Sequence, residues 1–330
     1  MKCINVGTRG DSNVLTYQNT PKPDYAPDRL LIKVAAAGIN FADIMQHRGT
    51  YPLQLPLPYT PGMEVIGIIE GIGDDVADVT LGQRVAAISF EAGGYAEYIA
   101  VKPEQVIHVP DTVDEHTLLA LLIQGLSAYL LLDYAANIRD GETVLVHAAA
   151  GGVGNLLAQL AKLMNAGSVF GTAGTDEKRA MIKRWGVDYS IDYTDPSWHE
   201  TILEITNGKG IDVILDPVGE GAIAQNLACL GVEGRFVSYG WLSGRCPSLT
   251  PTQCQNLLFK NQRAIGFAVN IVIERHPDVV TNALKQLLIW VQTERLKPIL
   301  GQVFPLEDAT DAHAAIAARQ TTGKVILRVS

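Results

Sequence analysis

Residues 149–154, Ala149-Ala150-Gly151-Gly152-Val153-Gly154, follow the apolar run "ETVLVH" and open into the helix-patterned stretch "NLLAQLAK". A buried strand, a glycine turn and a helix start present backbone N–H groups to a diphosphate. Gly151 lets the backbone approach phosphate and Gly154 lets helix pack on strand, with Ala149 replacing the first glycine of the usual GxGxxG. Ala150, Gly152 and Val153 complete the cradle. The end of the next strand selects the nucleotide. NAD sites place an Asp or Glu there to accept from the ribose hydroxyls. Here "GTAGTDEKR" puts Ala173, Gly174 and Thr175 at that point, with Lys178 on the helix that follows. A small, uncharged strand end beside a cation favours a 2′-phosphate, and hence NADPH over NADH. Tyr193, after the third strand, is placed to stack on or hydrogen-bond the adenosine end. A solvated Lys178 and a surface Tyr193 are the plainer alternatives.

The elements that must carry these residues alternate strand with helix: "GETVLVHA", a helix over 155–165, "SVFGTA", a helix over 176–185, "YSIDY", "SWHETILEIT", "GIDVILDPV", "AIAQNLACL" and "GRFVSYG". Such βαβ units make a doubly wound parallel sheet, an α/β fold of Rossmann type. Before them, 30–109 reads as short Val/Ile-rich strands broken by Gly and Pro, with a helical period only over 41–48. Near Ile265 the alternation stops; a helix over 277–293, the run "ILGQVFPLED", a helix over 309–319 and the strand "KVILRV" follow. The chain thus divides into a β-rich part (1–125), a nucleotide-binding part (126–264) and a return to the first (265–330), with linkers near 124–129 and 263–270.

With 330 residues the chain exceeds the usual single core. A net charge of -9 without a basic cluster argues against a nucleic-acid or anionic-membrane partner. The N-terminus has no secretory apolar core, and the most lipid-like segment, 118–136, is interrupted by Gln124, Gly125, Ser127 and Asp133, so two buried helical pieces are expected rather than a membrane span. Cys3, Cys229, Cys246 and Cys254 form no CxxC pair, which suits a reducing, cytoplasmic setting, and each reads as a small buried hydrophobe.

Over nearly its whole length the sequence resembles the zinc-independent quinone oxidoreductases of the medium-chain dehydrogenase/reductase superfamily, the group that includes zeta-crystallin. The resemblance rests on "AAGINFADIMQHRGTYP", "LPYTPGMEVIGIIEGIG", "GGYAEYIAV", "LLIQGLSAYLLL", "HAAAGGVGNLLAQLAK", "DVILDPVG" and "TGKVILRV", in the family's order. It implies a GroES-like β domain built from both chain ends, a Rossmann domain, an active-site cleft at their junction and a homodimer formed through an edge of the Rossmann sheet. Zinc-dependent relatives place a cysteine where this chain has Asn40 and a histidine where it has Met63, and the four-cysteine zinc lobe is missing. The implied metal content is none; Asp43 and Glu64 read as structural carboxylates. By position in the family motif, Asn40 and Tyr51 face nicotinamide and substrate, with Tyr51 a hydrogen-bond or proton donor. Met45 stands where some relatives have a second tyrosine, which favours proton delivery by solvent. Gln124 and Ser127 match positions lining the nicotinamide side. Gly240 and Trp241 match positions at the middle of the cofactor. Phe267 would wall the substrate pocket, and Lys324 would approach the cofactor unless it is simply exposed.

Without zinc to polarise an oxygen, the acceptor must already be electrophilic: a quinone, an enone or an enal. The expectation is an NADPH-dependent quinone oxidoreductase acting on a small apolar acceptor. An enoyl or alkenal double-bond reductase is the nearest rival, and a non-catalytic NADPH-binding protein is a rival of another class.

Overall fold

The computed structural model describes residues 1–329 in two compact units, one formed by Met1–Gln124 with the residues from Pro298 on, the other by Gly125–Lys297. In the first unit, β1 (Lys2–Val6) and β2 (Leu15–Asn19) form an antiparallel hairpin. β3 (Leu30–Ile39) buries both faces and exposes only Lys33, as an apolar run broken by that one lysine requires. Helix α1 (Phe41–Arg48) follows at once; Asn40 caps it in an extended conformation, and Gly49, at φ +73°, ends it in the left-handed region that glycine tolerates. Then come β4 (Glu64–Ile72), β5 (Arg84–Ile88), β6 (Tyr98–Val101) and β7 (Val106–His108), and helix α2 (Glu115–Ala120), capped by Asp114 accepting from the Thr117 N–H at 2.9 Å.

The helical run Glu115–Ala135 has the length and hydropathy of a membrane span, with a mean hydropathy of 1.6, yet 72% of that window is buried in the fold. It breaks at Leu122 (φ -63°, ψ -107°), so it is indeed two pieces. No open linker occurs at 124–129: those residues lie inside the run, and α3 (Leu126–Leu130) buries Leu126, Ser127, Ala128 and Leu130.

The second unit strings together β8 (Thr143–Val146), α4 (Gly152–Leu163), β9 (Ser168–Ala173), α5 (Asp176–Arg184), β10 (Tyr189–Asp192), α6 (Trp198–Ile205), β11 (Ile211–Asp216), α7 (Ile223–Cys229) and β12 (Leu230–Ser238). It continues through α8 (Pro251–Phe259), β13 (Arg263–Gly266), α9 (Val269–Arg275) and α10 (Pro277–Gln292). All six strands are parallel, in the order β10-β9-β8-β11-β12-β13, so the chain reverses direction of growth between β8 and β11. Two sequence expectations change here. The stretch 263–270 is not a linker: its first four residues are a sixth strand paired with β12, and the Phe267 N–H donates to the Ser238 carbonyl at 2.9 Å. The second boundary accordingly falls at Lys297/Pro298 rather than 264/265. The apolar stripe of α10, Val280, Ala283, Leu287 and Trp290, is spent inside the second unit, where Trp290 meets the ring of Tyr129.

The chain returns to the first unit with β14 (Leu300–Pro305), α11 (Ala309–Ala317) and β15 (Lys324–Arg328). The resulting sheet runs β14-β15-β3-β4-β5-β7, with β6 also paired to β3. Ile32, Val34, Ile69, Val85, Val325 and Leu327 fill its core. Of the four free cysteines, Cys3 and Cys229 are buried as expected, whereas Cys246 and Cys254 are exposed because they lie in and before the solvated helix α8.

One buried charge braces the second unit. Arg235 on β12 donates to both Glu142 oxygens, at 2.7 and 2.5 Å, and to the Ala136 carbonyl at 3.1 Å. Replacing Glu142 with Ala leaves that guanidinium buried without its counter-ion, and should lower unfolding free energy by about 3 kcal/mol in denaturant titration. Arg235→Met with Glu142→Leu should recover most of the loss.

Candidate functional site

In the second unit the candidate cofactor residues gather at the carboxyl ends of the parallel strands, where doubly wound sheets bind ligands. After β8, the Ala148 and Ala149 N–H groups bond Thr172 of β9 (Oγ1 at 3.2 Å and carbonyl at 3.1 Å), and the Gly151 N–H closes on the Ala148 carbonyl at 2.9 Å. Thr172 Oγ1 also lies 3.2 Å from His147 Nδ1, while His147 Nε2 lies 2.6 Å from Asn226 Oδ1, so a buried polar chain pins the loop from below. Gly152, Val153 and Gly154 form the first turn of α4, whose N–H groups have no carbonyl four residues back to bond. A Cβ on Gly154 would overlap the Ala148 carbonyl oxygen and sit 2.7 Å from Ala149 Cα, the close helix–strand approach the motif demands. Ala150 is buried beside this turn.

After β9, Thr175 caps α5 by accepting from the Lys178 N–H at 3.2 Å. Gly174 lies under the Tyr193 hydroxyl, which a Cβ there would meet at 2.8 Å, so the two residues after β9 and β10 share one notch. Sequence reasoning missed Arg179. Its guanidinium donates to the Ala173 carbonyl at 3.2 Å and pairs with Asp192 at 2.8 Å and Asp176 at 2.5 Å, which places a cation at the strand end itself. Its signal was its position one residue beyond Lys178. After β11, Asp216 accepts from the Val218 N–H at 2.7 Å; burial raises its pKa. The loop after β12 runs alongside: the Leu242 and Ser243 N–H groups donate to Pro217 and Val218 carbonyls, which sets Gly240 and Trp241, both half-buried, at the next strand end. Half-buried Phe267 follows β13. Ser127 is buried on α3, a helix that packs against α4.

The first unit builds a different site. Asn40, only 6% exposed, has both ends of its amide committed: Nδ2 donates to Glu64 Oε1 at 2.7 Å, and Oδ1 accepts from Lys324 Nζ at 3.2 Å. Lys324 is not exposed; its ammonium is buried against Glu64 and donates also to the Ile39 carbonyl at 3.2 Å. Its three donors are thereby used, so it acts on the site through Asn40. Glu64 Oε2 accepts from the Ile123 N–H at 2.8 Å. Next to Ile123, Gln124 reaches the Ile39 carbonyl at 3.5 Å, while its buried Oε1 has no partner among the described residues. Tyr51 follows α1, and burial, then the charge of Asp43, raises its hydroxyl pKa, so it stays protonated and able to donate at neutral pH.

Behind Asn40, Asp43 Oδ2 accepts from the Asn40 N–H at 2.8 Å and lies 3.2 Å from the Tyr95 hydroxyl. Asp43 is fully buried, and desolvation pushes its pKa from 3.8 up to about 7; Glu64 pushes the same way and Lys324 opposes. The folded chain therefore holds this proton more tightly than the unfolded chain. That stabilisation is present in full below the unfolded value and is lost as pH rises through the folded one. Asp43→Asn, which mimics the protonated group, should gain melting temperature over wild type progressively from about pH 4 to about pH 7 and level off above it. A pH-independent difference in thermal denaturation would show that Asp43 does not titrate there.

Residues 26–111 match the alcohol dehydrogenase GroES-like domain and residues 152–286 the zinc-binding dehydrogenase family. A probable quinone oxidoreductase of Schizosaccharomyces pombe is 35% identical over 328 residues, 98% of this chain and 96% of its own. The synaptic vesicle membrane protein VAT-1 homolog of Rattus norvegicus is 31% identical over 342 residues, 99% of this chain and 84% of its own. Among solved structures, Escherichia coli quinone oxidoreductase complexed with NADPH superposes with a TM-score of 0.93 at 29% identity, covering 100% of both chains. A mycobacterial protein, also solved with NADPH, gives 0.92 at 32% identity over 100% of both chains. The first unit is thus a GroES-like domain and the second a Rossmann-type nucleotide-binding domain. The chain belongs to the zinc-independent quinone oxidoreductase family of the medium-chain dehydrogenase/reductase superfamily.

Proposed function

We propose that this chain is an NADPH-dependent quinone oxidoreductase that reduces quinones or similar conjugated acceptors without zinc. The observation that carries the reading is the Asn40 amide, clamped by Glu64 and Lys324. A neutral, immobile polar group stands where zinc-dependent relatives place a thiolate, and Met63 offers a thioether where they place an imidazole. Among the described residues no group of three or more His, Cys, Asp or Glu side chains is disposed to hold a metal ion. An acceptor at such a site gets hydrogen bonds rather than Lewis-acid help, which suffices only for molecules that are electrophilic already.

Bound NADPH supplies the hydride. The chain's part is to hold it: the first-turn N–H groups of α4 take the diphosphate, and the notch of Gly174, Thr175, Lys178, Arg179 and Tyr193 takes the 2′-phosphate. Gln124 Oε1, buried without a partner among the described residues, fits a hydroxyl or amide donor of the cofactor. Asn40, through the Nδ2 hydrogen not given to Glu64, and Tyr51 donate to the acceptor oxygen as it gains charge. The four free cysteines fit a reducing compartment such as the cytoplasm. We propose a homodimer as well: β13 is an unpaired sheet edge, and the adjoining α8 exposes Leu258 (75%) and Phe259 (89%).

NADPH oxidation should be followed against a benzoquinone, a naphthoquinone, an enal, an enone and an enoyl thioester, with zinc measured in the same sample. The quinones should turn over fastest and zinc should be substoichiometric; faster reduction of the enal or thioester would make the chain a double-bond reductase, and no turnover at all a binding protein. Separately, Gly174→Asp with Lys178→Ala should reduce the NADPH-over-NADH preference in kcat/KM by about tenfold or more, because it removes a charge-assisted contact and adds a like charge.

A further inference from the structure

Four buried side chains behind Asn40, on α1, on α11 and in the loop before β6, form an unbroken hydrogen-bonded row. His47 Nδ1 lies 2.8 Å from the Gly10 carbonyl, and His47 Nε2 lies 3.2 Å from His313 Nδ1. His313 Nε2 lies 3.2 Å from the Tyr95 hydroxyl, which lies 3.2 Å from Asp43 Oδ2. His47, His313, Tyr95 and Asp43 are each 0% exposed, so bulk solvent reaches none of them. We propose that His47, His313 and Tyr95 are positioning residues whose hydrogen bonds run in one fixed direction and hold Asp43 as a neutral carboxylic acid, so that no anion without a counter-ion stands behind the place where the acceptor gains negative charge.

The direction follows from the outer end. A carbonyl only accepts, so His47 must carry its proton on Nδ1. A neutral His47 then has a bare Nε2, which makes His313 the donor through its own Nδ1–H. The bare His313 Nε2 takes the single hydrogen of the Tyr95 hydroxyl. Tyr95 is left only its lone pairs to offer Asp43, and an ionised carboxylate has nothing to give them. Asp43 therefore donates, and to donate it must be protonated. Burial favours the same state, holding both imidazoles below their usual range, His313 at about 3.

Charge gives a second, independent argument. Asp43, Glu64 and Lys324 are buried together at 0, 1 and 1% exposure. Lys324 neutralises one carboxylate, Glu64, to which it is directly paired. A second carboxylate would be a buried anion without a counter-ion.

Ionisation of Asp43 has a defined internal route. The Asp43 proton passes to the Tyr95 oxygen, the Tyr95 proton to His313 Nε2, and the His313 Nδ1 proton to His47 Nε2. This leaves a carboxylate at one end and an imidazolium at the other. Arg48 and Arg9 oppose charge at His47 and Asp11 favours it; Arg48 and His47 oppose it at His313. At the inner end Glu64 resists an ionised Asp43 and Lys324 favours it, with Tyr51, Tyr59 and Tyr95 in its field. In the protonated row Asp43 exerts no repulsion on the acceptor and no pull on the Tyr51 proton.

The direction of the row stands on geometry alone, whereas its value to turnover rests on the reduction proposed above; two measurements separate them. Nitrogen-15 spectra of histidine-labelled wild-type protein below pH 7 should show His47 and His313 both neutral with the proton on Nδ1. The infrared difference between wild type and Asp43→Asn should show the carbonyl stretch of one protonated carboxylic acid. A charged ring, an Nε2–H tautomer in either histidine, or a missing acid band overturns the row. In the second measurement, wild-type kcat for a quinone should fall on the alkaline side of about pH 7, by up to about tenfold per pH unit, while the Asp43→Asn profile stays flat there. Matching profiles overturn the catalytic value of the row. If no acceptor is reduced, the quinone reading fails and the spectra still decide the row.

Discussion

The ion pair of Glu64 and Lys324 is the constraint on which the rest of the first unit depends. Both ends are buried to within 1% of full burial. Stripping water from two such charges costs several kcal/mol each, so every remaining donor and acceptor must be matched. They are: the ammonium serves Glu64, Asn40 and Ile39, and the carboxylate serves Lys324, Asn40 and Ile123. Those partners lie on β3, on β4, on β15 and in the helical run after α2. A small error in the register of any of them would strand a charge, which makes the pair a gauge as well as a bond. Asn40 inherits its fixed orientation from that gauge.

The second unit solves its problem by other means. Its strand ends present backbone, small residues and turns more than long side chains, and its accuracy comes from the parallel ladder beneath. Thr172 ties the turn after β8 to its neighbouring strand, and paired loops after β11 and β12 hold each other by main-chain bonds. A nucleotide touches many points weakly, so a scaffold that fixes many backbone groups at once suits it. A small electrophile touches few points, and there the chain spends buried, mutually locked side chains.

What the sequence made readable follows the same division. The glycine loop, the alternation of β8 to β12 and the helix α1 announce themselves through local period and turn chemistry, and the structure places them within a few residues of where the pattern put them. β13 and the boundary at Lys297 were not legible: a four-residue edge strand has no periodicity to speak of, and nothing local tells α10 which apolar face it will cover. Lys324 could be read as either exposed or cofactor-facing, because its true partner lies 260 residues away. Asp43 and Glu64 were visible as structural carboxylates, yet the histidines behind them carried no signal. His47 reads as one polar residue on a short helix and His313 as one among alanines; only the packing of α1 against α11 brings them together.

The division of the first unit between the two ends of the chain has an outcome in time. On a translating ribosome, residues 1–124 emerge with Glu64 already committed to an interior whose lysine has not been made. Gly125–Lys297, by contrast, is one uninterrupted stretch that can close as soon as it is out. The nascent molecule therefore passes through a stage with a finished nucleotide-binding half and an open β-rich half missing its strands β14 and β15. During that interval β3, at ten residues the longest strand in its sheet, lacks one of its neighbours. The demand for chaperone protection falls on that edge, and it ends when the last strand is released.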